Sequence, residues 1–438
     1  MKFIVESGGS LNGSIRVPGD KSISHRSIMF GSIAEGTTRI TGFLEGEDSL
    51  NTMRAFQAMG VSIQGPDNGA VTIEGVGMHG LRAPAEPLNM GNSGTSIRLL
   101  AGLLAGQQFD VELTGDASLS KRPMKRVTDP LAEMGAVVDT AEGGRPPLRI
   151  HGGSELKAIH YDMPMASAQV KSCCLLAGLY ASGRTSVTEP APTRDHTERM
   201  LTAFGWPVAR EAATASLEGP ARLTACDIDV PADISSSAFF MVGASIMPGS
   251  DVTLQHVGIN PTRTGVIDIL KLMGADIELH NEREVGGEPV ADIRVRYAPL
   301  KGINVPEHLV PLAIDEFPVL FVAASCAEGK TVVTGAEELR VKESDRIQVM
   351  ADGLVELGVF AVATRDGMII QGVGADGELG GGTVHSHDDH RIAMAFSMAA
   401  LRTAGQIVIE DCDNVNTSFP GFTELAAGAG LNIQSVNA

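Results

Sequence analysis

The stretch "FQAMGVSI", residues 56–63, closes a helix-like pattern with a methionine and a glycine, then turns into a short β-like run. A glycine placed there is a stop signal. It takes the left-handed backbone conformation that ends a helix without the steric cost a side chain would add. The phrase returns five times, as "LAEMGAVV" (131–138), "LTAFGWPV" (201–208), "LKLMGADI" (270–277), "LVELGVFA" (354–361) and "AAGAGLNI" (426–433). Its glycines, Gly60, Gly135, Gly205, Gly274, Gly358 and Gly430, fall at nearly regular intervals along the chain. Self-similarity at a near-constant period marks one supersecondary unit written six times.

Upstream of each glycine lies a second helical segment, beginning near "DKSISHR", "NSGTSIR", "SAQVKSC", "ISSSAFF", "DEFPVLF" and "DDHRIAM". The interval from this segment to the glycine hardly varies. It is the same from Ser22 to Gly60, from Ser167 to Gly205 and from Ser236 to Gly274, and one longer from Arg391 to Gly430. Between the two helices sits a strand such as "TTRITGF", "FDVELTG" or "KTVVTGA"; after the glycine comes a hairpin such as "VSIQGPDNGAVTIEG". The unit is therefore helix–strand–helix–strand–strand, and the fold class is α/β. The sixth unit lacks its last strand, while residues 1–16 read as strands without partners. The simplest closure makes residues 20–233 one domain of three repeats, and residues 1–19 with 234–438 a second domain of three, completed by the N-terminal strands. The chain then crosses between domains twice, at "VPGDKSIS" (17–24) and "VPADISSS" (230–237), two similar phrases that read as a hinge.

Composition narrows the function classes. Of 438 residues 43% are hydrophobic, enough for a sizeable core. Lys and Arg number 34 against 53 Asp and Glu, a net charge of −19, which argues against nucleic acid or an anionic membrane as partner. Five cysteines without a CxxC pair argue against a disulfide framework or a zinc site and suit a reducing cytoplasm. The apolar run in "MKFIVESGGS" is too short for a signal peptide, and no uncharged apolar stretch reaches membrane-spanning length.

Against that acidic background, cations gather where helices begin. "VPGDKSISHR" (17–26) sets Lys21, His25 and Arg26 on a helix start that Asp20 or Ser22 can cap. A helix N-terminus leaves about four N–H groups unpaired and carries roughly half a positive charge, so added cations and hydroxyls make it an anion site. The same phase of other units carries "GNSGTSIR" (91–98) with Gly94, "SKRPMKR" (120–126) with Arg122, "PMASAQVK" (164–171) with Ser167 and Gln169, and "PTRDHTER" (192–199) with Arg194. "LRVKESDR" (339–346) brings Lys342, Glu343 and Arg346, and "SHDDHR" (386–391) ends in Arg391. In a closed pseudo-symmetric arrangement these groups would face one cleft between the domains, and arginine suits phosphate and carboxylate. Two acids stand among them. Asp315 reads either as the cap of the fifth unit's first helix or as a proton acceptor, and Glu343 either as one half of a helix-face ion pair or as a second proton-handling group.

Other signals carry less. "GVGMHG" (75–80) and "GVGADG" (372–377) match GxGxxG but are followed by prolines or glycines rather than a helix, so they read as turns. "HSHDDH" (385–390) reads as a polar helix start rather than a metal site, and Cys173–Cys174 as buried structural thiols.

Taken in order, "PGDKSISHR", "GNSGTSIRLL", "KRPMKR", "SAQVKS", "TRDHTE", "IDEFP", "VKESDR" and "DDHRIAM" resemble the 5-enolpyruvylshikimate-3-phosphate synthase family from about residue 5 to 425. The resemblance implies a two-domain inverse α/β barrel-like fold with the active site between domains. It implies transfer of enolpyruvyl from phosphoenolpyruvate to the 5-hydroxyl of shikimate 3-phosphate, releasing phosphate, with no cofactor and no metal. Carried over by motif, Lys21, Ser22, Arg26, Ser167, Ala168, Gln169, Arg194, Asp315 and Lys342 would hold shikimate 3-phosphate. Lys21, Gly94, Arg122, Gln169, Arg346 and Arg391 would hold phosphoenolpyruvate, and Asp315, Glu343 and Lys21 would carry the chemistry. Ala168 and Thr417 stand where the best-known branch has serine and lysine; "SAQVKS" and "RDHTE" resemble a second branch. The expected partners are the two small molecules, with no nucleic acid and no membrane, and the chain is expected to act as a cytoplasmic monomer. The rivals are the related UDP-amino-sugar enolpyruvyl transferase, whose usual loop cysteine is missing from "DASLSKRPMKR", and a non-catalytic anion-binding repeat protein.

Overall fold

In a computed structural model, residues 1–437 are described. Two strands come first, β1 (Lys2–Gly9) and β2 (Asn12–Ile15). Repeat one is α1 (Lys21–Ile33), β3 (Ala34–Thr41), α2 (Glu47–Ala58), β4 (Ser62–Asp67) and β5 (Ala70–Val76). Repeat two is β6 (Leu88–Asn89), α3 (Gly94–Ala105), β7 (Val111–Thr114), α4 (Lys125–Glu133), β8 (Val137–Ala141) and β9 (Arg145–His151). Repeat three is β10 (His160–Asp162), α5 (Ala168–Gly178), β11 (Gly183–Thr188), α6 (His196–Ala203), β12 (Ala209–Glu211) and β13 (Thr214–Gly219), after which β14 (Leu223–Thr224) and β15 (Ile228–Asp229) lead on. Repeat four is α7 (Ile234–Ile246), β16 (Asp251–Gly258), α8 (Gly265–Leu272), β17 (Asp276–Val285) and β18 (Glu288–Arg296). Repeat five is α9 (Phe317–Cys326), β19 (Glu328–Val333), α10 (Arg346–Glu356), β20 (Phe360–Ala363) and β21 (Met368–Val373). Repeat six is β22 (Gly382–His385), α11 (His390–Ala399), β23 (Ile407–Glu410), α12 (Phe422–Ala429) and β24 (Leu431–Val436).

All six key glycines have positive φ, from 77° at Gly358 to 116° at Gly430. In five repeats the residue after the glycine reaches back to the helix, as Val61 N does to Phe56 O at 3.1 Å and Val359 N to Leu354 O at 2.9 Å. This double closure satisfies the last helical carbonyls and needs the left-handed residue. At the other end, five of the six first helices are capped by a side chain: Asp20, Ser93, Ser167, Asp233 and Asp389 each accept from a backbone N–H of the first turn. Of the two candidates at α1, Asp20 is the cap, while the Ser22 carbonyl accepts from Arg26.

The exception is α9, and it corrects one expectation. Asp315 does not open that helix; it lies in a 3-10 stretch, Pro311–Glu316, and Glu316 at the boundary makes no side-chain cap. Pro318 in the first turn of α9 has no N–H to offer, and the Glu316 carboxylate is taken by Ser235.

The chain divides into two compact units. The N-terminal unit holds Gly19–Val230 with Val285–Gly287, and the C-terminal unit holds Met1–Pro18, Pro231–Glu284 and the residues from Glu288 onward. The N-terminal unit contains three sheets, ordered β14-β3-β5-β4 (with β15 also on β3), β6-β7-β9-β8 and β10-β11-β13-β12. The C-terminal unit contains β17-β18-β16-β2, β19-β21-β20 and β22-β23-β1-β24. β1 takes the place that β9 holds in repeat two, and so supplies the missing last strand of repeat six; β2 runs parallel to β16 and completes repeat four. One feature was not read from the sequence: each repeat also has a short leading segment parallel to its first strand, β14 and β15 for repeat one, β6, β10, β2 and β22 elsewhere, and single bridges from Lys301 and Asn304 in repeat five.

Within each unit the first helices form the core. Every residue of α7 and α9 is buried, as are all but one of α3, the pattern of a helix surrounded on every side. Their sequences allow close approach: a Cβ on Gly102 of α3 would lie 2.2 Å from the Cys173 carbonyl oxygen of α5. The second helices bury one face only. With each fully buried Leu, Ile or Phe worth about 1.5–3 kcal/mol, these helices are held by tertiary burial rather than by propensity.

Candidate active site

The N-terminal unit brings the starts of α1, α3 and α5 together through a buried polar lattice. Arg26, on α1, donates from Nε to Thr197 Oγ1 at 2.7 Å and from Nη2 to Ser172 Oγ at 2.9 Å. Arg98, on α3, donates to Gln169 Oε1 on α5 at 2.6 Å, and Gln169 Nε2 donates to Thr95 Oγ1 at 3.1 Å. Thr52 of α2 joins His25 Nδ1 at 2.8 Å and Ser96 Oγ at 2.7 Å, tying α1 to α3. Burial first, then the charges of Lys21 and Arg26, push the His25 imidazole well below its usual range, so it is neutral. Lys21, the first residue of α1, is paired with the buried Asp48.

Gly94 opens α3 beside two guanidinium groups; a Cβ there would stand 3.0 Å from Nη1 of both Arg122 and Arg98. Arg122 is steadied by Asn92 Oδ1 at 2.6 Å, and Asn92 in turn donates to Asp116 at 2.7 Å. Ser167 caps α5 and places Ala168 and Gln169 in its first turn. Arg194 lies just ahead of α6, in the loop leading to Thr197. So the unit gathers Lys21, Ser22, Arg26, Gly94, Arg122, Ser167, Ala168 and Gln169 at neighbouring helix starts, where unpaired N–H groups and cations favour anions.

The C-terminal unit has a second cluster centred on Arg346. This guanidinium is 1% exposed. It donates from Nε to Asp389 Oδ2 at 2.8 Å, from Nη2 to Glu343 Oε2 at 2.8 Å and from Nη1 to Asp315 Oδ1 at 3.4 Å. Burial alone would lower its pKa, but Asp389, Glu343 and Asp315 outweigh that and keep it charged. Conversely, burial would raise the Asp389 carboxyl, and the Arg346 charge overcomes this to hold it below the ordinary carboxylate value. Lys342 Nζ stands 3.4 Å from Asp315 Oδ1. Arg391 Nη1 donates to the Asp315 carbonyl at 3.2 Å and lies 3.9 Å from Glu316. Asp315, Lys342, Glu343, Arg346 and Arg391 are thus one connected group. Glu343 precedes α10, which Asp345 caps, so its pairing with Arg346 is not the helix-face contact that one reading of the sequence allowed.

Several members of these clusters escaped the sequence reading. Asp389 could have been found as a helix cap preceding an arginine. Asp48, Thr52 and Arg98 carry no such local mark. Thr417 donates to the Asn414 carbonyl at 2.7 Å and closes a 3-10 turn. The two GxGxxG stretches begin in the last residues of β5 and β21 and open no helix, and Asp389 and His390 of "HSHDDH" form a helix start. Cys173 and Cys174 are buried, and burial raises both thiols, Cys174 to about 12. No helix among the described residues is long and apolar enough to cross a membrane.

Comparison with known proteins identifies the family. Residues 5–425 match the family model for EPSP synthase (3-phosphoshikimate 1-carboxyvinyltransferase). The chain is 69% identical to the 3-phosphoshikimate 1-carboxyvinyltransferase of Alkalilimnicola ehrlichii over 98% of this chain and 96% of that one. It is 67% identical to that of Nitrosococcus oceani over 99% and 97%. Among solved structures, EPSP synthase from Acinetobacter baumannii superposes with a TM-score of 0.91 at 62% identity, covering 100% of both chains. The enolpyruvyl transferase NikO of Streptomyces tendae shares the fold, with a TM-score of 0.81 at 16% identity over 100% of this chain and 99% of that one.

Proposed function

The chain belongs to the EPSP synthase family of the shikimate pathway and transfers enolpyruvyl from phosphoenolpyruvate to the 5-hydroxyl of shikimate 3-phosphate, and from this premise we propose how its residues divide the work. The two alternatives, a UDP-amino-sugar transferase and a silent binding protein, are not favoured by these relationships. Lys21, Ser22, Arg26, Ser167, Ala168, Gln169, Arg194, Asp315 and Lys342 hold shikimate 3-phosphate. Lys21, Gly94, Arg122, Gln169, Arg346 and Arg391 hold phosphoenolpyruvate. Both ligands are phosphorylated carboxylates, matched to helix starts and fork-shaped arginines. The first set draws on both units, so in this reading residues of both take part in holding the ligand pair.

The observation that carries the chemical assignment is Arg346, which bridges Asp315 and Glu343. Addition needs a base for the hydroxyl that attacks C2 and an acid that protonates C3; elimination removes a proton from the resulting methyl group and expels phosphate. Asp315 takes the hydroxyl proton, flanked by Lys342. Glu343 gives and later recovers the proton at C3. Lys21 and the arginines stabilise charge on the transferring group, the larger electrostatic share. This reading needs no metal and no cofactor, and sets the enzyme in the cytoplasm as a monomer; five free thiols suit a reducing compartment.

Mixing the protein with both substrates releases phosphate without added metal. Asp315→Asn and Glu343→Gln each lower kcat by about 10²–10⁴-fold, far more than they raise either KM. Unchanged kcat in both variants overturns the choice of acids.

A further inference from the structure

Lys171 is a buried charge that the mechanism above does not use. It sits on α5 and is 1% exposed, between Glu189, just past β11, at 3.0 Å and Glu198 of α6 at 2.8 Å. Both carboxylates are themselves buried, at 6% and 2% exposure. One ammonium therefore holds two acids out of water, an arrangement that costs much desolvation and is weak as a source of stability, since apolar packing of similar volume often does as well. The attraction is Coulombic rather than directional, because the Glu198 oxygens accept no aligned hydrogen bond.

Its neighbours show what depends on it. Ser172 follows Lys171, and Thr197 precedes Glu198. Those two hydroxyls lie 2.8 Å apart and together receive the Nε and Nη2 of Arg26. The Lys171–Glu198 contact thus spans the same two helices one position away from the hydroxyl pair. Glu189, the second acid, accepts from Thr193 Oγ1 at 2.6 Å, directly before Arg194. A single ammonium is linked through these neighbours to both arginines.

We propose that Lys171, with Glu189 and Glu198, is a positioning device for the shikimate 3-phosphate half of the site: it fixes the α5–α6 spacing that aims Arg26 and anchors the loop that carries Arg194. The proposal rests on the assignment of those two arginines to that substrate. The group touches no reacting atom, so its signature is a split between the two substrates.

Lys171→Met keeps an unbranched side chain one atom shorter and removes the charge. KM for shikimate 3-phosphate rises about tenfold, the equivalent of slackening one charged hydrogen bond, while KM for phosphoenolpyruvate stays within about twofold. Because Lys171→Met leaves two buried acids unpaired, the neutral triple variant Lys171→Met, Glu189→Gln, Glu198→Gln is measured beside it and shows the same split; Lys171→Arg restores the wild-type value. Wild-type KM for shikimate 3-phosphate in the folded triple variant, or equal rises for both substrates, overturns the proposal. Arg26→Lys is the control for the underlying assignment. If it leaves KM for shikimate 3-phosphate unchanged, the assignment fails; if it raises that KM and the Lys171 variants do not, only the positioning role fails.

Discussion

Asp389→Asn tests whether the Arg346 cluster is as tightly bound as its geometry indicates. The Asp389 side chain is fully buried and receives four donors: Arg346 Nε at 2.8 Å, Arg346 Nη2 at 3.3 Å, Ser344 Oγ at 3.0 Å and the Arg391 backbone N–H at 3.0 Å. Asparagine keeps the shape but has one acceptor oxygen, and turns an NH₂ group toward the remaining donors. Removing one partner of a buried pair costs about 3–5 kcal/mol. Glu343 still accepts from Arg346, which places the loss at the lower end, about 3 kcal/mol, or a fall of about 6–12 °C in the Tm of the C-terminal unit. The pH dependence has a definite sign. The Asp389 carboxyl is depressed in the fold, so its contribution is whole above the ordinary value of 3.8 and disappears as pH falls through the lower folded value. Melts followed by circular dichroism show the full gap between wild type and variant near neutrality, narrowing below about pH 4. A variant Tm within about 2 °C of wild type near neutrality refutes the reasoning, as does a gap that does not narrow in acid.

The His25 imidazole, held neutral against its ordinary value of 6.5, contributes stability that is complete above that value and declines as pH falls below it, because only the unfolded chain then binds the proton. His25→Asn makes the acid limb of the stability curve shallower by up to about 1.4 kcal/mol per pH unit, read from urea midpoints at several pH values; an unchanged limb removes the claim. Gly102→Ala puts a methyl group 2.2 Å from the Cys173 carbonyl oxygen, forces α3 away from α5 and costs about 1–3 kcal/mol in urea unfolding, with an unmoved midpoint as the contrary result.

The repeat was legible because its punctuation is local. A glycine with φ of 91° at position 60, or an aspartate capping at position 20, acts within one turn of chain and leaves a mark that recurs at fixed spacing. The missing last strand of repeat six was legible by subtraction, from N-terminal strands left without partners. What could not be read has a common cause. β6 spans only Leu88 and Asn89, too short to show an alternating pattern, and its pairing with β7 is set by tertiary contact. Asp315 reads as a cap until it is known that Glu316 follows it in a 3-10 stretch and that α9 starts at Phe317. Lys171 lies in "VKSCCLLAGLY", where its burial depends on Glu189 and Glu198, acids that arrive only after the next strand has been laid down. The cationic helix starts were visible one by one; which carboxylates share which guanidinium was not.

The seat of β1 imposes an order on assembly. Residues 2–9 are translated some four hundred residues before β23 and β24, the strands between which they lie. The unit formed mainly by residues 19–230 can reach its native contacts while translation continues. The other must keep an apolar leader, with Phe3 and Val5, available until the C-terminal strands arrive. During that interval its apolar side chains stay exposed on the nascent chain, where they invite wrong contacts.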